Sequence, residues 1–249
     1  MILDAILEKT RGRVSSLPPL GAHFSAEGTR SLSAAIRSGT GTNAIIGELK
    51  FASPTRGPLR NPRTAEEVAT ELVKGGCVGL SVLTEPTAFQ GSIDTLVRVR
   101  QSVPVPVLRK DFIIDPRQVY ETRAIGADAI LLIAGLLGND LPRYVSLSLS
   151  LGLEPLVEVH TPAEVNSALG SGAEMIGINN RDLRTMEVDL STTERLAPLC
   201  GDRILVSMSG IADPSDIRRL RPSVHAFLIG SSLMIAPDPR TMMEGFVSA

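Results

Sequence analysis

Eight short, nearly unbroken apolar runs punctuate this chain: IIGEL, VGLSVL, VPVL, AILLI, PLVEV, EMIGI, ILVSM and AFLIG, with starts near Ala44, Val78, Val105, Ala129, Pro155, Glu174, Ile204 and Ala226. They recur roughly every 20 to 35 residues, the length of a strand–loop–helix–loop unit. Runs that are apolar at consecutive positions fit strands covered on both faces by helices, as in a parallel sheet. The segments between them open like helices. Thr64-Ala-Glu-Glu67 and Thr161-Pro-Ala-Glu164 set a capping hydroxyl three residues before a glutamate. Pro162 falls at the first helical position, where its missing N–H costs nothing; Asp115-Pro-Arg-Gln118 and Asp213-Pro-Ser-Asp216 follow the same logic. Eight such units predict an α/β protein, a closed (β/α)8 TIM barrel. An open doubly wound sheet is the alternative, but no GxGxxG follows any of the runs.

About 40 residues precede the first run, more than one loop requires. Amphipathic stretches at Met1–Thr10 and Ser31–Arg37 predict two helices outside the eightfold repeat, and Ser38-Gly-Thr-Gly41 breaks into the first strand. The reading is one barrel domain over residues 1–249, with 1–42 as an N-terminal helical extension. Composition agrees with a soluble protein with a large core, at 43% hydrophobic and 21% charged. No apolar run approaches a membrane span, and the charged N-terminal pattern lacks the apolar core of a signal peptide. Cys77 and Cys200 form neither metal spacing nor a disulfide framework, which fits a reducing cytoplasm. Net charge is −2, so no global field favours nucleic acid or anionic lipid.

Charged residues stand where strands should be apolar. Period two puts Ile46, Glu48 and Lys50 on one face of the first strand, Leu108 and Lys110 on one face of the third, and Leu156 and Glu158 on one face of the fifth. The sixth runs through Ile178 into Asn179, Asn180 and Arg181. Barrel active sites lie at the C-terminal strand ends, so two lysines, two glutamates, an asparagine and an arginine gathered there predict one acid–base site. His23, His160 and His225 are scattered, with only His160 near the site, and it reads as structural or peripheral. Neither a metal site nor a nucleophilic elbow is signalled. Ser209-Gly210 after the seventh run and Gly230-Ser231-Ser232 after the eighth suit an anion, because glycine lets backbone N–H groups approach and a helix starting near Ser231 adds its positive end. Ser53-Pro-Thr-Arg56 offers a hydroxyl or guanidinium across the barrel.

These segments closely resemble indole-3-glycerol phosphate synthases. The matching stretches are ELKFASPTRG from Glu48, SVLTE from Ser81 with FQGS from Phe89, VLRKDFIID from Val107, LVEVH from Leu156, IGINNRDL from Ile176, SGI from Ser209 and FLIGSSLM from Phe227. They run in order from the first strand to the last. The resemblance implies a cofactor-free carboxy-lyase of tryptophan biosynthesis, cytoplasmic and monomeric. It would convert 1-(2-carboxyphenylamino)-1-deoxyribulose 5-phosphate into indole-3-glycerol phosphate, carbon dioxide and water. Lys110 would be the general acid, Glu158 a proton-transfer partner, and Glu48 with Lys50 would serve the dehydration. Asn179 and Arg181 would orient substrate hydroxyls and catalytic groups. Phe89, Phe112 and Leu131 would pack on the anthranilate ring, with Ser81 at the same opening. Ser53, Lys50, Gly210, Gly230 and Ser231 would face the phosphate.

Two departures stand out. Where the family has ESGI, this chain has Met208-Ser-Gly-Ile211, and Phe51 replaces a usual basic residue. Met208 should face inward beside the substrate, offering bulk without charge; Phe51 should face away. Alternatives on the same scaffold are a paralogous phosphosugar lyase or isomerase altered by Met208, and a non-catalytic phosphate-ligand barrel. Met208→Glu is expected to raise turnover, and a kcat/KM unchanged or lower counts against this reading.

Overall fold

The computed structural model describes residues 2–17, 28–39, 42–53, 57–59, 63–182 and 184–249. Eight parallel strands close into a barrel: β1 (Ala44–Leu49), β2 (Gly79–Leu83), β3 (Val107–Lys110), β4 (Ala129–Ile133), β5 (Glu154–Val159), β6 (Met175–Asn179), β7 (Ile204–Met208) and β8 (Ala226–Ile229). Each pairs with its sequence neighbours, and β8 pairs back onto β1 through Gly47 opposite Ile229. The third strand begins at Val107 rather than Val105. Pro106 has no N–H for the ladder, although its carbonyl still accepts from Leu80 N–H at 2.9 Å.

The period-two pattern separates two layers. Ile45 and Leu49, Leu80 and Val82, and Phe227 and Ile229 pack outward against helices, as do Ile130, Leu132, Val157, Val159, Ile176 and Ile178 on the far side. Ile46, Leu108, Leu131, Leu156, Met175, Val206, Met208 and Leu228 fill the barrel interior. The capping chemistry read from sequence closes boxes at Thr64 with Glu67, Asp115 with Gln118, and Asp213 with Asp216. Thr161 also caps its helix, Pro162–Gly170, by accepting from Glu164 N–H. Here the Glu164 carboxylate turns to the His160 amide, at 2.6 Å.

Before the barrel come α1 (Ile2–Ser15) and α2 (Leu32–Arg37). These two helices attach at opposite ends. Arg13 of α1 donates to Asp111 just past β3, at 2.8 Å. At the N-terminal end, Leu32 and Ile36 of α2 share the interior core with the first residues of four strands, Ala44, Ala129, Ile204 and Ala226. Glu154, which starts β5, accepts from Leu32 N–H, Ser33 N–H and the hydroxyls of Ser31 and Ser33. A carboxylate at the positive end of a helix is favourable by itself, and here it also satisfies otherwise orphaned donors. Among the described residues, no helix is long and apolar enough to cross a membrane.

Replacing Glu154 by alanine strands the α2 donors at a cost of about 2 kcal/mol. A thermal melt should show Tm lowered by roughly 4–8 °C, with kcat/KM close to wild type because the contact lies at the far end from the site.

Candidate active site

The C-terminal strand ends open onto a cavity of about 500 Å3, a size suited to a small organic ligand. Its charged floor is organised by Glu48. The carboxylate is 3% exposed and bridges two ammonium groups: Lys110 Nζ lies 2.7 Å from Oε2, and Lys50 Nζ lies 2.8 Å from Oε1. Room for the bridge comes from β8, where a Cβ on Gly230 would fall 2.4 Å from Glu48 Oε1. Burial by itself would raise the Glu48 pKa, yet the charges of Lys110 and Lys50 and their hydrogen bonds bring it down to about 2. Burial would likewise strip the Lys110 proton. Glu48 and Glu158 outweigh it, together with the opposing charge of Arg181, and the Lys110 pKa rises above its ordinary value. Lys110 is therefore held as an ammonium at neutral pH, the form a proton donor needs.

Glu158 enters the cavity from β5, and Oε1 accepts from Asn179 Nδ2 at 2.9 Å. Asn179 in turn accepts the Arg181 N–H through Oδ1 at 3.0 Å. One Arg181 guanidinium nitrogen donates to the carbonyl of Met186, at 2.8 Å. Asn180, one residue away and on the other face, stays out of the cavity. It donates to Ser207 Oγ and the Ser209 carbonyl and accepts from Thr193 N–H and Oγ1, tying this loop to the end of β7.

One wall is apolar. Phe89 and Phe112 stand 6.4 Å apart, tilted by 34°, with Leu131 and Ile133 beside them. The loop bearing Phe89 is pinned by Glu85, whose carboxylate accepts from the N–H groups of Thr87, Ala88 and Phe89. Elsewhere the lining changes to Lys50, Ser209, Gly210, Gly230 and Ser231. Ser209 and Gly210 both have left-handed backbone, φ 66° and 83°, so this tight turn favours glycine. At Gly210 a Cβ would also fall 2.3 Å from Val188. The short helix Ser231–Ile235 starts beside this turn.

Glu48, Lys50, Lys110, Glu158, Asn179, Arg181, Phe89, Phe112, Leu131, Gly210, Gly230 and Ser231 thus come together as the sequence predicted. Two residues do not. Ser81 faces inward but is fully buried and absent from the lining. It is level with Glu48 in the strand register, and its short side chain stops below the cavity. Its hydroxyl has no hydrogen-bond partner among the described residues. Met208 faces inward too, but it packs down onto Gly177, where a Cβ would fall 2.9 Å from its Cε. It is fully buried and lines interior core rather than cavity. The substrate contacts expected of Ser81 and Met208 are corrected accordingly. A carboxylate at position 208 would meet an apolar layer, so the gain expected from Met208→Glu comes with a lower Tm. Phe51 packs in the outer cluster, away from the cavity. The side chain of Ser53 and residues 54–56 lie outside the described residues, as does His23.

Sequence reading missed Asp111, Ile133 and Met186 in the lining. Ile133 was available from alternation with Leu131. Asp111 and Met186 were not, because both follow breaks in strand geometry, Met186 with φ 65°.

Fold and site together define a (β/α)8 barrel with a charged cavity at the C-terminal ends of its strands. A family model described as indole-3-glycerol phosphate synthase matches residues 4–246. The indole-3-glycerol phosphate synthase of Variovorax paradoxus is 42% identical over 254 aligned positions, covering 96% of each chain. That of Acetivibrio thermocellus is 49% identical over 199, covering 79% of this chain and 76% of its own. A thiamine phosphate pyrophosphorylase from Pyrococcus furiosus, 16% identical, superposes with a TM-score of 0.62 over 82% of this chain and 93% of that one, a likeness of fold. The chain belongs to the indole-3-glycerol phosphate synthase family.

The depressed Glu48 pKa carries a pH signature. Its stabilisation is complete above the ordinary carboxylate value of 4.5 and is lost as pH falls toward about 2. Melts between pH 6 and pH 2 should therefore show a steeper acid loss of Tm for wild type than for Glu48→Gln; parallel curves would contradict the bridge.

Proposed function

We propose that the Lys110–Glu48–Lys50 bridge and the Glu158–Asn179–Arg181 chain divide the proton transfers of indole-3-glycerol phosphate synthesis between them. The enzyme is a lyase acting on 1-(2-carboxyphenylamino)-1-deoxyribulose 5-phosphate. The observation that carries the assignment is Lys110, an ammonium 2.7 Å from Glu48 and in the field of Glu158, in a cavity with an aromatic wall and a glycine-rich anion end.

The anthranilate ring packs between Phe89, Phe112 and Leu131, and the phosphate rests against Lys50 and the backbone at Gly210, Gly230 and Ser231. As the ring carbon bearing the carboxylate attacks the ribulose carbonyl, Lys110 gives its proton to the carbonyl oxygen. Its charge also draws the carboxylate into line, and Arg181 helps neutralise the anionic intermediate. Carbon dioxide then leaves with its bond electrons returning to the ring. Dehydration follows, the departing hydroxyl taking a proton from the Glu48–Lys50 pair. Glu158, oriented by Asn179, accepts the proton released as the indole double bond forms.

Residues 1–249 act as one domain with residues 1–42 as its extension, a reading supported by the attachment of α1 to Asp111 and of α2 to Glu154. Two free, buried thiols, Cys77 and Cys200, support a cytoplasmic location.

Purified protein given the carboxyphenylamino-deoxyribulose phosphate should develop indole fluorescence and release carbon dioxide. Lys110→Ala should lower kcat/KM by about 10²–10⁴-fold in protein that still folds, with Tm reduced because buried Glu48 loses a partner. Isomerised sugar without indole would identify a paralogous isomerase, and binding without carbon dioxide release a non-catalytic barrel.

A further inference from the structure

His160 reads from sequence as structural or peripheral, yet the structure sets it directly against Glu158. Its Nε2 lies 3.4 Å from Glu158 Oε1, the same oxygen that receives the Asn179 amide. Its Nδ1 lies 3.4 Å from Glu164 Oε2. That Glu164 oxygen also accepts the His160 backbone N–H at 2.6 Å, fixing carboxylate and imidazole relative to one another. Nε2 is buried and makes no hydrogen bond among the described residues, so its approach to Oε1 is a contact of charge alone, while no hydrogen bond reaches Glu158 Oε2 among the same residues.

The surroundings favour an imidazolium. Glu158 faces it from β5, Glu164 from the helix Pro162–Gly170, and Asp182 from the loop after β6, next to Arg184. The segment after β4 and helix α1 contribute apolar groups, Leu136 and Leu3, to the small cavity on its other side. Lys110 and Arg181 lie beyond Glu158, in the active site. Burial would lower the His160 pKa, but the Glu164 hydrogen bond and the charges of Glu158, Glu164 and Asp182 raise it above the ordinary histidine value.

We propose that His160 is a positioning residue for Glu158: an imidazole braced by Glu164, it presents its charge to Oε1 and leaves the second oxygen to the substrate. The idea rests on the proton-accepting role of Glu158 given above. It adds a contributor from beyond the cavity lining: His160, just past the end of β5, and Glu164, in the first turn of the helix Pro162–Gly170, act on Glu158 together with Lys110.

The test is the pH profile of kcat/KM with the carboxyphenylamino-deoxyribulose phosphate, for wild type, His160→Gln, Glu164→Gln and Glu158→Gln. Loss of the cationic neighbour should move the acid limb of His160→Gln upward by about one pH unit, so activity near the foot of that limb falls about tenfold while the plateau recovers at higher pH. A purely structural role would lower the plateau and leave the limb where it is, which would overturn the proposal. Because His160→Gln removes a buried contact and risks misfolding, a second readout keeps the imidazole: NMR titration of its ring nitrogens in wild type, Glu164→Gln and Glu158→Gln. The His160 pKa should fall in both variants, by reciprocal coupling; an unchanged value in Glu158→Gln would equally overturn it. If Glu158→Gln retains full turnover, the assignment of Glu158 fails; if it is inactive while both His160 readouts stand still, only the coupling fails.

Discussion

A carboxylate shared between two ammonium groups is the constraint on which this active site depends. Glu48 has almost no contact with water, and an isolated buried carboxylate would be protonated or expelled. Lys110 and Lys50 make its charge tolerable, and it does the same for theirs. Removing one member leaves the others with uncompensated charge, a larger penalty than the pair would represent on a surface. Lys110 is thus kept protonated by the same contact that fixes its position. Glu158 stands on the other side as a second anion within its field.

The support for Lys110 extends through the strand to the outside of the barrel. Arg109, its neighbour on β3, points outward and is completely buried. It donates to Thr84, Asp111, Glu121 and Thr122 and to the Gln118 carbonyl. Asp111 is shared with Arg13 of the N-terminal extension and Thr84 of the preceding loop. An ion cluster with this many partners satisfies its desolvated groups, and it locks the end of β3 in one position. Catalytic side chains held within a fraction of an ångström need this kind of backing.

The barrel was legible in the sequence because strands buried on both faces cannot alternate in polarity, and the resulting apolar runs mark themselves. Within each run, period two sorted the interior from the helix-facing side, so the few charges on interior positions, Glu48, Lys110 and Glu158, announced the site. Periodicity assigns a face but not a height along the barrel axis. Ser81 and Met208 have the right face and the wrong depth. Alternation also paired His160 with Glu158, but one step past the strand it could not show that the ring would meet two carboxylates. Asp111 lies beyond the end of β3 and Met186 on an irregular loop, where neither period applies. Arg109 left a signal that went unread: a charge on the outward side of a strand covered by helices needs partners there.

The absence of a methyl group at Gly230 has a wider reach than its own turn. That position helps shape the anion end of the cavity, and the carboxylate of Glu48 occupies the space its side chain would take. Adaptation of loop eight to a different anionic ligand is therefore mechanically linked to the Glu48 bridge on the neighbouring strand. A lineage or a designer altering specificity at this point would have to re-seat the central carboxylate in the same step, which makes position 230 a site of epistasis between recognition and catalysis.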